Sequence, residues 1–386
     1  MSYAAISRVH GFHHAGQLYQ AARVRQLWHP RAFGGNRFAA TIPPVERFQP
    51  PLPAPSWPSS ARWVNSLTLF SNTSRPRLIV FWDFTCLSCL RALPYWRAWH
   101  ERYESIGLEV VGVHTPEFDF GHDPNIVAKA AARLGLRWPI LLDNDRSVWT
   151  SFVNKARPAV YLLDAEGRIH IRQIGEDQYQ AVEREIQTLL RDLHPAWEPP
   201  ELLDPIRAED RPSAVCLPAT QDVHHEALGN GPLPPARPAD LSLPGDRREG
   251  RFYLQGTWQK ERDGLLLVSA PGRVVVGFIG TDLHAILGTL AALEGRQGPQ
   301  QPFAPVHLYL DGEPLSPELY GEDVLMHKGK PTARIDTPRL YTLMRRAVHG
   351  LHEFEIRADD PGLVVYGFSF ESCLASAKPA PQPQEV

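Results

Sequence analysis

The hydrophobic pattern between residues 60 and 195 alternates buried strands with amphipathic helices. Arg77 to Trp82 (RLIVFW) is almost entirely apolar, which is typical of a strand covered on both faces. Further strands are predicted at 108–113, 138–142, 159–163 and 168–174, and helices at 86–103, interrupted at Pro94, at 124–134 and at 182–193. Because helices separate the first strands, these strands should run parallel and form an α/β domain.

Between residues 250 and 375 the pattern changes to short strand-like runs with turn signals between them. The predicted strands are 252–256, 265–269, 273–280, 306–312, 333–337, 339–344, 352–358 and 363–370. So many strands with almost no helix predict an all-β sandwich of jelly-roll type. The segment 281–305 interrupts this rhythm, and we expect a helix or an insertion there.

Proline is abundant, with 37 of the 386 residues, and its clusters mark the domain boundaries. Proline removes a backbone donor and favours extended chain, so these clusters predict linkers and tails. The predicted divisions are an N-terminal extension at 1–59, an α/β domain at 60–195, a linker at 196–249, an all-β domain at 250–375 and a disordered tail at 376–386.

The charge balance excludes one large class of partners. Lys and Arg number 40 and Asp and Glu number 43, so the net charge of −3 gives no support to binding of nucleic acid or anionic membrane. No apolar run is long enough to predict a membrane span, and the first thirty residues lack the apolar core of a secretory signal. We therefore expect a cytoplasmic protein, or an exported one if the true start lies elsewhere.

The candidate chemistry is carried by Cys86-Leu87-Ser88-Cys89, at the point where a buried strand ends and a helix begins. The unpaired N–H groups and the dipole of a helix start should lower the pKa of the Cys86 thiol below the usual value of about 8.5. Cys89, one turn further on, can then attack a mixed disulfide formed on Cys86. This strand–helix setting indicates redox chemistry.

Two other roles for the cysteines are weaker. A zinc site would need Cys216 and the pair His224/His225, which lie far away in the proline-rich connector, so no metal is expected and these histidines are interpreted as solvated loop residues. Cys216 and Cys373 could pair, but two buried thiols are the preferred prediction in a reducing compartment.

Four segments carry a family resemblance. They are FWDFTCLSCLRALPYW (81–96), VVGVHTPEFDF (110–120), LGLRWPILLDND (134–145) and RPAVYLLDAEGRI (157–169). They resemble the thioredoxin-like domain of TlpA-like and DipZ-type thiol–disulfide oxidoreductases. The resemblance implies that Cys86 is the attacking cysteine and Cys89 the resolving one. It also implies that Pro158, which by itself reads as an ordinary trans proline opening a strand, is a cis-proline beside the disulfide.

The resemblance suggests further site residues. Trp82 corresponds to the active-site tryptophan of the family, and the backbone of Arg157 to the part that pairs with an extended substrate. Val80 stands where many thioredoxins keep a buried acid, so Asp83 and Glu117 are the candidate proton acceptors. FYLQGTW (252–258) and LVVYGFSF (363–370) resemble the carbohydrate-binding-module-like β-sandwich that follows the thioredoxin domain in DipZ-type proteins.

These observations together predict a thiol–disulfide oxidoreductase that acts on protein thiols or disulfides, needs no metal or organic cofactor, and takes electrons from a separate donor. Its β-sandwich would bind a glycan or a protein, and five aromatic residues could form a sugar-stacking platform, although such residues more often fill the core: Tyr253, Trp258, Tyr309, Tyr341 and Tyr366. Two alternatives stay open. One is a thiol peroxidase of redoxin type, and the other is a glycan- or partner-binding protein with a vestigial redox domain.

Overall fold

The computed structural model describes residues 45–58, 61–65, 74–295 and 304–374. Its strands form one seven-stranded sheet, one twelve-stranded sheet and one two-stranded sheet. We call the seven-stranded sheet and its helices the thioredoxin-like domain, and the remaining strands the all-β domain. Within these described ranges, none of the helices combines the length and the apolar character that a bilayer crossing requires.

The thioredoxin-like domain has the predicted α/β architecture. Its strands are β1 (Glu46–Pro53), β2 (Arg62–Val64), β3 (Arg77–Trp82), β4 (Glu109–His114), β5 (Ile140–Leu142), β6 (Ala159–Leu163) and β7 (Arg168–Ile174). Its helices are α1 (Leu87–Tyr103), α2 (Pro124–Arg133), α3 (Ser147–Ser151) and α4 (Tyr179–Leu193). In the order β1-β7-β6-β3-β4-β5-β2, strands β3, β4 and β5 are parallel, and β6 and β7 pair as the predicted hairpin.

Three details of this domain differ from the prediction. Helix α1 runs through Pro94 without interruption. Strand β1 lies inside the segment that was predicted to be an N-terminal extension, and it pairs antiparallel with β7. Its prolines do not prevent this because β1 is the edge strand of the sheet, where missing N–H donors are tolerated. Helix α3 was not predicted.

The all-β domain also confirms the predicted class. Its strands are β8 (Val215–Cys216), β9 (Val223–His224), β10 (Ala239–Leu241), β11 (Arg251–Glu261), β12 (Gly264–Gly280), β13 (Asp282–Thr289), β14 (Ala304–Leu310), β15 (Glu313–Pro314), β16 (Val324–His327), β17 (Lys330–Ile335), β18 (Arg339–Met344), β19 (Gly350–Ala358), β20 (Leu363–Glu371) and β21 (Cys373–Leu374). A short helix, α5 (Leu290–Leu293), follows β13.

Two predicted strands of this domain are in fact one. Strand β12 pairs with β20 near its start and with β19 over its second half, so a single long strand replaces the runs at 265–269 and 273–280. The segment 281–305, expected to hold a helix or an insertion, begins with the fully buried strand β13, and the short helix α5 follows it. An uninterrupted buried strand has no polar–apolar alternation, which is why its pattern was missed.

The proline-rich segment 196–249 is more than the linker that was predicted. It contributes β8, β9 and β10, which pair with β21, β20 and β11 respectively. These strands have two or three residues each, so local sequence carries no signal for them, and they form because other strands offer free edges. The predicted tail at 376–386 lies outside the described residues.

The two domains share a hydrophobic cluster. Tyr366 of β20 packs against Phe118 and Phe120 of the thioredoxin-like domain, with ring centroids 5.4 and 4.8 Å apart. Leu266 and Ile286 of the all-β domain belong to the same buried cluster. The domains therefore pack directly against each other, and the site described next lies at this contact.

Candidate redox site

The loop between β3 and α1 is organised by the carboxylate of Asp83. Its Oδ1 accepts hydrogen bonds from the backbone N–H and the hydroxyl of Thr85, both at 2.8 Å, and its Oδ2 accepts from the N–H of Glu117 at 2.7 Å. Asp83 is only 1% exposed. Because three donors satisfy this buried carboxylate, it fixes the approach of the chain to Cys86.

Cys86 caps the N-terminus of α1. Its Sγ accepts a hydrogen bond from the N–H of Cys89 at 3.2 Å and lies 3.3 Å from the hydroxyl of Ser88. Cys86 and Cys89 form a disulfide, with Cα atoms 5.2 Å apart. Cys86 is partly exposed whereas Cys89 is completely buried, so only the first sulfur is within reach of another molecule.

The loop before β6 lies beside this disulfide. The Arg157–Pro158 peptide bond is cis, as the resemblance implied. The carbonyl of Arg157 accepts a hydrogen bond from the Ser88 hydroxyl at 3.5 Å, while its guanidinium donates to the carbonyl of Thr115 and to Glu117, both at 2.6 Å. The Arg157 side chain therefore braces two loops, and its backbone faces the start of α1.

A cleft of about 190 Å³ lies over Cys86, and both domains line it. The thioredoxin-like domain contributes Thr85, Cys86, Leu87, Ser88, Glu117 and Arg157, and the all-β domain contributes Asp222, His224, Ile286 and Ser369. The cleft is smaller than the roughly 300 Å³ at which small-molecule pockets usually begin. Its size suits one or two side chains of a larger substrate.

Side-chain alternation brings β9 to this cleft. Val223 points into the core of the all-β domain, so its neighbours Asp222 and His224 project from the opposite face, toward the thioredoxin-like domain. The imidazole of His224 lies 3.7 Å from the carboxylate of Glu117, across the domain contact. Gly367 allows β9 to approach β20 this closely, since a Cβ at that position would lie 2.5 Å from the carbonyl oxygen of Val223.

A shift of register brings β20 to the same cleft. The pairing of β13 with β20 slips between Ile286 and Leu287, which leaves Tyr366 without a partner across the pair. In a regular strand Tyr366 and Phe368 would share a face, but here Tyr366 packs on the thioredoxin-like domain and Phe368 in the core of the all-β domain. Ser369 consequently faces the cleft.

A neutral histidine lies beneath the active-site loop. His114 is fully buried, stacks on Phe84 with ring centroids 5.3 Å apart, and contacts Trp82 edge to face. Burial lowers the pKa of His114 to about 4, although Asp83 with its Oδ1 3.9 Å away acts in the opposite direction. The sequence analysis did not identify His114, because a buried strand gave no reason to separate it from its neighbours.

The structure corrects one predicted substrate contact. Trp82 is completely buried in the core, so it has no surface to offer a substrate, and its role is packing. Of the two candidate proton acceptors, Asp83 is saturated by hydrogen bonds and Glu117 is paired with Arg157. Arg157 lines the cleft over Cys86, and Pro158 follows it through a cis peptide bond.

The remaining cysteines and histidines also differ from expectation. Cys216 and Cys373 form a disulfide between β8 and β21, and Cys216 is exposed, so the preference for two buried thiols was wrong. His225 is buried and not a solvated loop residue. Among the residues that the structure describes, no three His, Cys, Asp or Glu side chains are grouped so that they could hold a metal ion.

The aromatic residues considered for sugar stacking lie mostly in the interior. Tyr253, Trp258, Tyr341 and Tyr366 are each at most 3% exposed, so they cannot form a surface platform. Tyr309 is partly exposed, and the guanidinium of Arg357 lies 3.7 Å from its ring centre. A larger cavity of about 520 Å³ lies elsewhere on this domain, lined by polar residues that include Gln255, Arg273 and Arg357.

The residues that the sequence analysis missed are those that the all-β domain contributes to the cleft over Cys86. Asp222, Ile286 and Ser369 were not considered, and His224 was considered only as a metal ligand. No local signal could have identified them, since they lie more than a hundred residues after Cys86 and reach it only through the packing of the two domains.

Comparisons with known proteins agree with this architecture. Residues 53–172 match the AhpC/TSA family, and residues 221–370 match a family described as thioredoxin like C-terminal domain. Protein DipZ of Mycobacterium bovis is 30% identical over 280 residues, which cover 70% of this chain and 40% of DipZ. The thiol-disulfide oxidoreductase YkuV of Bacillus subtilis is 28% identical over 142 residues, which cover 36% of this chain and 95% of YkuV. The solution structure of a thioredoxin-like protein in the oxidized form is 26% identical and covers 38% of this chain and 99% of that chain, with a TM-score of 0.34.

The chain spans about 40% of the length of DipZ from M. bovis and from Mycobacterium tuberculosis. The first family match covers most of the seven-stranded sheet and the Cys86–Cys89 disulfide, and the second covers the all-β domain from β9 to β20. The chain therefore joins a segment that matches the AhpC/TSA family to a segment that matches the thioredoxin like C-terminal domain, and it is a homologue of DipZ and YkuV.

Proposed function

We propose that the chain is a thiol–disulfide oxidoreductase that exchanges the Cys86–Cys89 pair with thiols or disulfides of protein substrates. One observation carries the proposal. The disulfide stands at the N-terminus of α1, with Cys86 accessible from a cleft and Cys89 buried behind it. This asymmetry gives one sulfur to the substrate and keeps the other for the resolving step.

The proposed reaction uses groups of the chain itself. In the reduced protein, the N–H of Cys89 and the hydroxyl of Ser88 would stabilise a thiolate on Cys86, together with the helix dipole. That thiolate attacks a substrate disulfide, a Cys86–substrate disulfide forms, and the other substrate sulfur leaves. Cys89 then attacks Cys86, which restores the internal disulfide and releases the reduced substrate. No metal or organic cofactor enters these steps.

The cleft favours a cysteine that projects from an extended segment. Its volume of about 190 Å³ admits one or two side chains, and the cis Arg157–Pro158 loop borders it. By resemblance to the family, the backbone of Arg157 would pair with the substrate backbone. A separate electron donor or acceptor must return Cys86 and Cys89 to their starting oxidation state after each exchange. Whether that molecule donates or accepts electrons depends on the reduction potentials of the Cys86–Cys89 pair and of the substrate.

Substitution of Cys86 tests the proposal. We expect Cys86→Ser to reduce disulfide exchange with a cysteine-containing peptide to the uncatalysed rate, because serine cannot form the mixed disulfide. Cys89→Ser should instead accumulate a mixed disulfide on Cys86, detectable by mass spectrometry. The double variant Cys216→Ser/Cys373→Ser is the control, and it should retain the wild-type rate. A Cys86→Ser protein with the wild-type rate would refute the proposal.

An accessory recognition role is proposed for the all-β domain. The cavity of about 520 Å³ beside Arg273 and Arg357 supports it, since its volume lies in the range of small-molecule sites. Glycan binding that persists after loss of both Cys86 and Cys89, with no exchange activity in the wild type, would favour a binding protein over an enzyme. Consumption of hydrogen peroxide in the presence of a thiol donor would favour a thiol peroxidase, although Thr85, adjacent to Cys86, is already engaged with Asp83.

A further inference from the structure

The cleft over Cys86 needs a group that can exchange a proton with the substrate sulfur. A thiol must lose its proton before it attacks a disulfide, and a thiolate that leaves must regain one. The two carboxylates predicted for this role are both occupied: Asp83 accepts three hydrogen bonds, and Glu117 is paired with the Arg157 guanidinium at 2.6 Å.

A third carboxylate enters the cleft from the all-β domain. Asp222 immediately precedes β9 and lines the same cavity as Cys86. Ser369 lines the cavity as well, and hydrogen bonding from its hydroxyl lowers the pKa of the Asp222 carboxyl. Asp222 is also accessible to solvent, so a proton that it takes from a substrate can pass on to water.

The wall that carries Asp222 is held firmly against α1. Glu371 lies two residues after Ser369 on β20, and its Oε1 accepts a hydrogen bond from Arg91 of α1, with Nη1 at 2.7 Å. His224, two residues after Asp222, lies 3.7 Å from Glu117. These two contacts across the domains fix the position of Asp222 relative to the disulfide.

We propose that Asp222 is the acid–base residue of the redox site, so that the all-β domain completes the exchange machinery of the thioredoxin-like domain. The inference rests on the proposed function. When the oxidised protein meets a substrate thiol, the Asp222 carboxylate takes the S–H proton. The resulting thiolate attacks Cys86 Sγ, the substrate–Cys86 bond forms, the Cys86–Cys89 bond breaks, and Cys89 leaves as the thiolate.

The same group acts in the reverse direction. Cys89 thiolate attacks Cys86 of the mixed disulfide, the internal disulfide forms, and the substrate sulfur leaves as a thiolate. The protonated Asp222 returns its proton to that sulfur, and the carboxylate is regenerated. Each direction therefore conserves protons and electrons without a further reagent.

The surroundings of Asp222 suit this role. The charged or titratable groups around it are His224 two residues further on, Arg91, Glu117 and Arg157 on the thioredoxin-like domain, and Glu371, which Arg91 neutralises. Asp222 stays open to solvent, but the protein around the cleft partly desolvates its carboxylate and raises its pKa above the ordinary value, while Ser369, His224 and Arg91 act in the opposite direction. A raised pKa brings the two protonation states closer to neutral pH, where acid–base exchange is most effective.

The test is the pH dependence of the reduction of the oxidised full-length protein by dithiothreitol. Aliquots are quenched in acid, and the new thiols are counted by alkylation. Without an internal base, the rate follows the thiolate concentration and rises about tenfold per pH unit below the thiol pKa. With Asp222 as the base, the wild type should show a shallower slope between pH 6 and 8.

We expect Asp222→Asn to steepen that slope to about tenfold per unit and to slow the reaction at pH 6 by about tenfold or more, within the range of general base catalysis. Asp360→Asn removes an exposed carboxylate of the same domain outside the cleft, and it should leave the slope unchanged. If Asp222 acted only by repelling thiolates, its loss would accelerate the reaction at every pH without a change of slope. That result, or a wild-type slope in Asp222→Asn, would overturn the inference.

A second variant covers the case in which Asp222→Asn fails to fold. Ser369→Ala removes the hydrogen bonding that stabilises the Asp222 carboxylate, so the pKa of Asp222 should rise. The pH below which the reduction rate begins to fall should then move to a higher value. An unmoved profile would overturn the inference. Loss of exchange in Cys86→Ser together with an unchanged profile in Asp222→Asn would refute the role of Asp222 alone, whereas wild-type exchange in Cys86→Ser would refute the proposed function itself.

Discussion

The ion pair between Arg91 and Glu371 joins the active-site helix to the all-β domain, and its removal should lower the free energy of unfolding of the protein. Arg91 Nη1 lies 2.7 Å from Glu371 Oε1, and Arg91 Nε lies 2.7 Å from Glu176 Oε2. The Glu371 side chain is only 7% exposed. Burial alone would raise the pKa of Glu371, yet the neighbouring positive charge, that of Arg91 above all, lowers it.

The expected loss follows from this burial. Removing one partner of a buried ion pair typically costs about 3–5 kcal/mol, because the other charge stays in the interior without compensation. Arg91 is 22% exposed, and Arg207 remains 3.9 Å from Glu371, so part of that cost is avoided. We therefore expect Arg91→Met, which keeps an unbranched stem, to lower the free energy of unfolding by about 2–3 kcal/mol.

Urea unfolding of Arg91→Met, Glu371→Gln and the double variant measures the interaction itself. The double-mutant cycle should give a coupling energy of at least about 1 kcal/mol. The matched control is Arg172→Met, since Arg172 is paired with Glu46 at the surface with side chains 32% and 48% exposed, and its loss should cost less than about 1 kcal/mol. A coupling energy near zero, or equal losses for Arg91→Met and Arg172→Met, would refute the reasoning.

Two further predictions concern the packing of β9 against β20 and the dependence of stability on pH. Gly367→Ala should lower the free energy of unfolding by about 1–3 kcal/mol and slow disulfide exchange, because the new Cβ would clash with the Val223 carbonyl oxygen. The control is Gly245→Ala, since no atom lies within 4 Å of a Cβ at that position. Equal stability of the two variants in urea would contradict this prediction. His114 has a pKa of about 4 in the fold against about 6.5 when unfolded, so the unfolded chain binds more protons than the folded one between these two pH values. As the pH falls from 7 to 4, the free energy of unfolding of the wild type should therefore drop by up to about 3 kcal/mol more than that of His114→Phe. A stability difference that stays constant over that range would show that His114 does not titrate as inferred.

Local sequence predicted the redox pair well because both cysteines lie within one turn of one helix. The apolar run of β3, the Cys-Leu-Ser-Cys spacing and the following helical period all describe contacts over a few residues, and such contacts are visible in a linear pattern. The resemblance added the cis-proline loop, which local pattern alone would have interpreted as an ordinary trans proline.

Local sequence failed where an element depends on a distant partner. Strand β1 was hidden among prolines, and β9 has only two residues, so each exists because another strand presents a free edge to it. Trp82 illustrates the same limit, since its position next to the motif suggested a substrate contact, but the packing of the core buries it completely.

The sequence by itself therefore determined the two fold classes and the pair of sulfurs, because these follow from hydrophobic period and from spacing within one helix. Only the tertiary structure decided what surrounds the sulfurs. Asp222, His224 and Ser369 come to the cleft through the pairing of β9 with β20, a shift of register between β13 and β20 and an ion pair between domains, all of which join residues far apart in the sequence. Contacts of that range carry no local pattern, and they are fixed only when the two domains pack.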